Sequence, residues 1–131
     1  TLFLCSYFFN DPRPTYTSPL SRHAALPISD DRATAIDAYE QANQLAPDNA
    51  AILNNLAWQY HLGDDPRAES LAAQAYTLAP DNAAIADTYG WILHQLGQHQ
   101  RAVTLLAQAA EQAPDNAEIQ AHLEAARAAA Q

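Results

Sequence analysis

Lysine is missing from this 131-residue chain, which sets six arginines against fifteen aspartates and glutamates for a formal net charge of −9. A cationic stripe able to neutralise a row of phosphates cannot be assembled from so few bases, so no nucleic acid partner is expected. There is one cysteine, Cys5, which allows neither an intramolecular disulfide nor a cysteine-based zinc site. No apolar run is long enough to cross a bilayer, so no membrane insertion is expected. The opening TLFLCSYFF is too short for a span, lacks the basic flank and cleavage site of a signal peptide, and has no small residues before Cys5 to mark a lipid attachment site. The absence of lysine beside abundant alanine fits a GC-rich, bacterial gene. What is present is apolar: such residues make up 49% of the chain, enough for one domain core.

The internal order is a repeat. LAPDNAAI at 45–52 recurs at 78–85 and, as QAPDNAEI, at 112–119, after 33 and then 34 residues. Further matches keep this register: Trp58 with Trp91, and LGDDPRA at 62–68 with LGQHQRA at 96–102. Within each period the apolar residues follow helical spacing twice. Leu53, Leu56, Ala57 and Tyr60 form one stripe, echoed by Ala86, Tyr89, Gly90 and Leu93. Ala68, Leu71, Ala72, Ala75 and Leu78 form the other, echoed by Ala102, Leu105, Leu106 and Ala109. Each period therefore predicts two amphipathic helices. Gly63 and Gly97 suit the left-handed position between them, with the first turn one residue tighter. Asp65 and Pro66 suit the start of the next helix, and Asp115 with Glu118 has capping-box spacing.

These residues resemble the tetratricopeptide repeat, a helix-turn-helix unit of about 34 residues. Leu56-Ala57, Gly63, Ala68, Ala75 and Pro80 match its pattern once, and Tyr89-Gly90, Gly97, Ala102, Ala109 and Pro114 match it again. The resemblance implies an all-α fold, an α-solenoid of helix-turn-helix hairpins with about six helices and an irregular N-terminal segment. The expected domain spans 30–131, divided into a half repeat at 30–47 (the second helix only), repeats at 48–80 and 81–114, and a terminal capping helix at 115–131. Glu124 and Arg127 stand where the pattern wants small or apolar residues, which fits a cap.

Residues 1–29 carry no repeat phase and four prolines, which reads as a disordered leader. Ala25-Leu26-Pro27-Ile28-Ser29 also resembles the translated end of a sequencing adapter, so an artefactual leader on a truncated fragment is expected. Without it, residues 30–131 hold four arginines against fourteen acids, a net charge of −10. The broken first repeat would leave Ala35, Ala38, Tyr39 and Ala42 without a partner helix, and self-association through them is expected.

In the tetratricopeptide family the first helix of each hairpin lines a concave groove. The resemblance carries its lining positions to Ala51, Asn54, Asn55, Trp58 and His61, then to Ala84, Asp87, Thr88, Trp91 and His94. On the last helix they fall at Glu118, Ala121, His122, Ala125 and Ala128. Trp58 and Trp91 supply area at low entropic cost, or else fill the seam between repeats, while Asn54 and Asn55 can pair with a ligand backbone or simply face water. With Asp87 and no base in this row, a neutral or basic protein or peptide ligand is expected rather than a C-terminal carboxylate. His61 and His94 would stand roughly 10 Å apart at ordinary helix spacing. With His122 they form no recognisable metal cluster, so no metal and no cofactor is assigned. Asp64-Asp65 falls at a turn, where capping accounts for it, and Ser70 has no base at helical spacing. No catalytic residue stands out. The expected function is a non-enzymatic protein-protein interaction scaffold; the alternative is a terminal structural cap of a longer solenoid whose binding site or catalytic domain lies upstream and is missing here. LNNLAW and DTYGW look like repeats of bacterial cell-envelope and exosortase-associated members of the family, which puts an envelope or periplasmic setting ahead of the cytoplasm.

Overall fold

A computed structural model describes residues 28–131. The chain divides into two units, 1–34 and 35–131. Everything below concerns the second. The expectations for residues 1–27, leader and adapter likeness alike, lie outside the described residues, but Ile28 and Ser29, assigned to the leader by sequence, begin a helix.

Among the described residues there are six helices and no strand: α1 (Ile28–Leu45), α2 (Ala50–Leu62), α3 (Arg67–Leu78), α4 (Ala83–Gln95), α5 (His99–Gln112) and α6 (Ala117–Ala129). Connections of three or four residues make consecutive helices antiparallel neighbours. α2 packs on α3, α4 on α5 and α5 on α6, while α2 touches α4 and α4 touches α6. The first helices of successive hairpins thus lie side by side, as in a tetratricopeptide solenoid.

Small residues make this packing possible. Ala57, Ala86, Ala102, Ala109 and Ala126 are wholly buried, around Leu93 and Leu106. The approach is close at Gly90, where an added Cβ would lie 2.7 Å from Leu106 Cγ. Ile36 and Tyr39 of α1 pack against the same core. The exposed large residues Leu45, Leu62 and Leu78 are each the last residue of a helix, and Leu96 follows α4 directly. Leu78 was expected in the apolar stripe. Its place at the end of α3, past the crossing with α2, leaves it 46% exposed.

Polar contacts bind neighbouring helices together. The Tyr60 hydroxyl donates to Glu40 of α1, and the Arg67 guanidinium lies 4.1 Å from the centre of the Tyr60 ring. Burial first, and Glu40 second, push the Tyr60 phenol up to about 12. Tyr76 donates to Gln108 at 2.6 Å, Arg101 donates to the Tyr89 hydroxyl at 2.8 Å, and Gln108 and Gln112 donate to the carbonyl of Pro80.

The helix ends correct the sequence reading in two places. The cap of α6 is Asn116 and not Asp115: its side chain accepts from the amides of Glu118 and Ile119. Asn49 and Asn82 do the same for α2 and α4, so the repeated PDN is a capping signal in all three copies. The second correction concerns Gly63, which has φ −102°, while Asp64 takes the left-handed conformation at φ 54°. Asp64 matches Gly97, at φ 80°, one period on.

Both turns share two closing bonds, although the amide of Gly63 reaches Tyr60 O and its counterpart at Leu96 reaches Ile92 O. The amide of Asp65 bonds to Tyr60 O and that of Asp64 to His61 O, just as Gln98 bonds to Leu93 O and Gly97 to His94 O. The residue missing from the first turn is therefore lost after the closure, at the start of α3. Pro66 stands there, and the Asp65 carboxylate accepts from the amide of Arg67.

Replacing Asn82 by alanine should cost about 1 kcal/mol of unfolding free energy in a urea titration. Gly97→Ala should cost about 1 kcal/mol by forcing a Cβ into left-handed backbone, whereas Asp64→Gly should gain about 0.5 kcal/mol.

Candidate functional site

α2, α4 and α6 are held in one phase by their asparagine caps, so equivalent positions of the three face the same way. Together they line a groove of about 440 Å³. α2 contributes Asn54, Asn55, Trp58 and Gln59; α4 contributes Ala84, Asp87, Thr88 and Trp91; α6 contributes Glu118, Ile119 and His122, with Asn116 at its cap. Tyr39 of α1 completes the lining. Asn54, Asn55, Trp58, Asp87, Thr88, Trp91 and His122, all expected to share a surface, are thus brought together.

His61 and His94 are not. His61 lines a separate depression of about 350 Å³ with Asp64, Asp65, Glu69, Ile92 and Leu96. His94 turns to the α4–α5 turn, where its Nδ1 is 3.1 Å from Nδ1 of His99. Both sit in the last turn of their helices, one step beyond the groove. Among the described residues no three His, Cys, Asp or Glu side chains are placed to hold a metal ion. No described helix is long and apolar enough to cross a membrane.

At the α4–α6 end the groove is built around Asp87. His122 Nδ1 lies 2.8 Å from Asp87 Oδ1, with the two side chains only 17% and 14% exposed. The His122 ring also stacks on Trp91, centroids 4.1 Å apart and planes at 25°. Burial pushes the Asp87 carboxyl above the ordinary aspartate range, and the His122 hydrogen bond pulls the other way. At the α2 end Trp58 meets the His61 ring of its own helix, tilted at 5.3 Å, as Trp91 meets His94 at 5.1 Å, and no other ring among the described residues stacks on it. Asn54 Oδ1 is buried there without a hydrogen-bond partner.

Neither arginine nor lysine lines the groove, and its carboxylates are Asp87 and Glu118. The residues missed by the sequence reading are Tyr39, Gln59, Ile119 and the cap Asn116. Tyr39 was placed on the wrong surface because its helix was read as a broken edge. Asn116 had a usable signal, since an asparagine just before an apolar-periodic run marks a helix start.

Stacked hairpins with a groove along their first helices define a helical repeat module. A family model described as tetratricopeptide repeat matches residues 62–129, just over half of the chain. The chain belongs to the tetratricopeptide repeat family. Among solved structures, the first tetratricopeptide domain of Spaghetti (RPAP3) bound to the HSP90 peptide SRMEEVD is 21% identical, with 85% of this chain and 87% of that one covered and a TM-score of 0.71. The first such domain of human RPAP3, solved by NMR, is also 21% identical over 84% and 85%, with a TM-score of 0.72. A K341M mutant of the Thermobaculum terrenum O-GlcNAc transferase is 28% identical with a TM-score of 0.71, covering 84% of this chain but 21% of the transferase. No curated protein sequence matches.

The histidines give the fold a pH dependence. Burial holds His61 below the ordinary histidine range against the pull of Asp64, and burial, His99 and His122 hold His94 below it. A histidine depressed in the folded state supports stability fully above its unfolded value near 6.5, and that support is lost as pH falls toward the folded value. Unfolding free energy from urea titration should therefore fall between pH 7.5 and 5.5. In His94→Gln the fall should be smaller, and an equal fall would remove His94 from the account.

Proposed function

We propose that residues 35–131 bind a protein segment, neutral or basic in character, in the groove formed by α2, α4 and α6. Tetratricopeptide domains generally mediate protein–protein interaction. What carries the finer reading is the sign and make-up of the lining: two tryptophans, a tyrosine and several amides and hydroxyls beside Asp87 and Glu118, with no arginine or lysine among them. Aromatic rings supply contact area, and amides satisfy a ligand's backbone groups. The carboxylates set the ligand's charge, because burying an unmatched negative group beside them costs affinity.

The Spaghetti domain was solved with a peptide that carries three acidic residues in SRMEEVD. A groove lined as this one is would repel such a sequence, so a similar fold here serves a ligand of another charge. No nucleophile and base are paired in the groove, and the reading is that of a binding module and not an enzyme.

Selection of a random peptide library on the full chain tests this. Enriched peptides should have zero or positive net charge, shift amide resonances of α2, α4 and α6, and bind at least tenfold more weakly to Trp58→Ala or to Asp87→Lys. Their affinity should fall as salt rises. Enrichment of acidic peptides, or binding that maps away from these helices, would overturn the proposal.

A further inference from the structure

The two ends of the groove are the same module one period apart, and they differ in one occupant. Asn54, Asn55, Trp58 and His61 of α2 correspond to Asp87, Thr88, Trp91 and His94 of α4. Each tryptophan meets the histidine three residues on at nearly the same distance, 5.3 Å and 5.1 Å. On Trp91, however, the next hairpin also lays a planar nitrogen heterocycle. His122 stacks on the ring at 4.1 Å and its Nδ1 reaches the oxygen of Asp87, four residues before the tryptophan, at 2.8 Å.

One period earlier, the residue corresponding to His122 is Thr88. It is too short to stack, and its hydroxyl is turned back to donate to Ala84 O at 3.0 Å. The oxygen corresponding to that of Asp87 is Asn54 Oδ1, which is buried and has no hydrogen-bond partner. Trp58, Asn54 and Thr88 line the same groove as Asp87 and Glu118. The α4–α6 module therefore displays within the chain the kind of group that the α2–α4 module lacks: a flat group with N–H donors that lies on the indole and meets the oxygen four residues before it.

We propose that Trp58 and Asn54 form a subsite for an arginine side chain of the bound segment: its guanidinium stacks on the Trp58 ring, and the Asn54 amide turns its oxygen, enclosed in the free chain, out to accept from it as Asp87 accepts from His122. This rests on the groove being a peptide site. Guanidinium fits better than the other donors. It is planar, carries five N–H groups, is weakly hydrated and stacks on aromatic faces, whereas an ammonium is a strongly hydrated point charge. Its charge matches Glu118 and Asp87, and no arginine or lysine in the lining opposes it.

The test uses the full chain and the peptide Ac-Gly-Ser-Arg-Ser-Gly-NH2, with lysine and citrulline versions of it, followed by two-dimensional NMR. The arginine peptide should shift the Trp58 indole N–H and the Asn54 side-chain amide, and the other two should bind at least about fivefold more weakly. Asn54→Leu should weaken the arginine peptide by a similar factor. Asn54→Asp, which restores the oxygen pattern of Asp87, should strengthen it several-fold. Thr88→His, which supplies the imidazole internally, should abolish the binding and raise the Tm. Arginine-peptide shifts on α2, α4 and α6 that are indifferent to Asn54→Leu and Asn54→Asp would overturn the subsite and leave the peptide groove standing. Absence of shifts with all three peptides would also overturn the subsite, while the groove itself stands or falls on the library selection.

Discussion

Close approach of helix backbones is the constraint on which the rest of this molecule depends. Where two helices cross, the residue at the crossing sets the distance between their axes. Here the crossings are held by alanine, and at one of them by Gly90, whose absent side chain leaves room for Leu106. A larger side chain at any of these points would push a hairpin away from its neighbour, and the displacement would pass to every helix beyond it, because each repeat of a solenoid contacts only its neighbours. The groove inherits this precision. Its walls are adjacent helices rather than loops, so the spacing between Trp58, Trp91 and His122 is set by buried alanines some distance from the groove surface.

Rotational phase is the second requirement, and asparagine supplies it. A helix started one residue early or late would turn each lining side chain by about 100°. Asn49, Asn82 and Asn116 each accept two backbone amides and fix the first turn at the same residue of every copy. At the other end, the same two closing bonds end α2 and α4, although Asp64 stands where Gly97 does one period later. The length difference between the two repeats is absorbed after the closure, by Pro66 at the entry to α3. The first helices, which carry the groove, stay in register, and the irregularity falls on a second helix.

The sequence makes the repeat, the six helices and nine of the fifteen expected lining positions legible, because periodicity is a statement about relative position and the groove is made of equivalent positions. It does not resolve what depends on the geometry of a single turn. Glycine at 63 offers freedom of backbone that the chain uses at Asp64, since the hydrogen bonds of the closure and not the residue type select the left-handed position. His61 and His94 share the helical phase of the tryptophans yet lie one turn too far along, and axial position is the coordinate that a helical wheel discards. The pairing of His122 with Asp87 could not be found by spacing at all. Thirty-five residues separate them, and only the packing of α4 on α6 brings them to 2.8 Å.

That pairing also changes what the acidic character of the groove means. Counted as charges, Asp87 and Glu118 are two like groups on one surface. In the folded chain they are unequal: Asp87 is nearly buried, raised by desolvation and held by His122, whereas Glu118 lies exposed. The field felt by an approaching ligand comes first from Glu118, with Asp87 acting at short range once water has been displaced, where a buried carboxylate interacts most strongly. If it holds a segment as proposed, a groove so divided would discriminate in two stages, by charge on approach and by donor geometry on contact. The tryptophans lie within the same stretch of groove, so the aromatic area and the carboxylate oxygens that the proposed function calls on come from the same three helices.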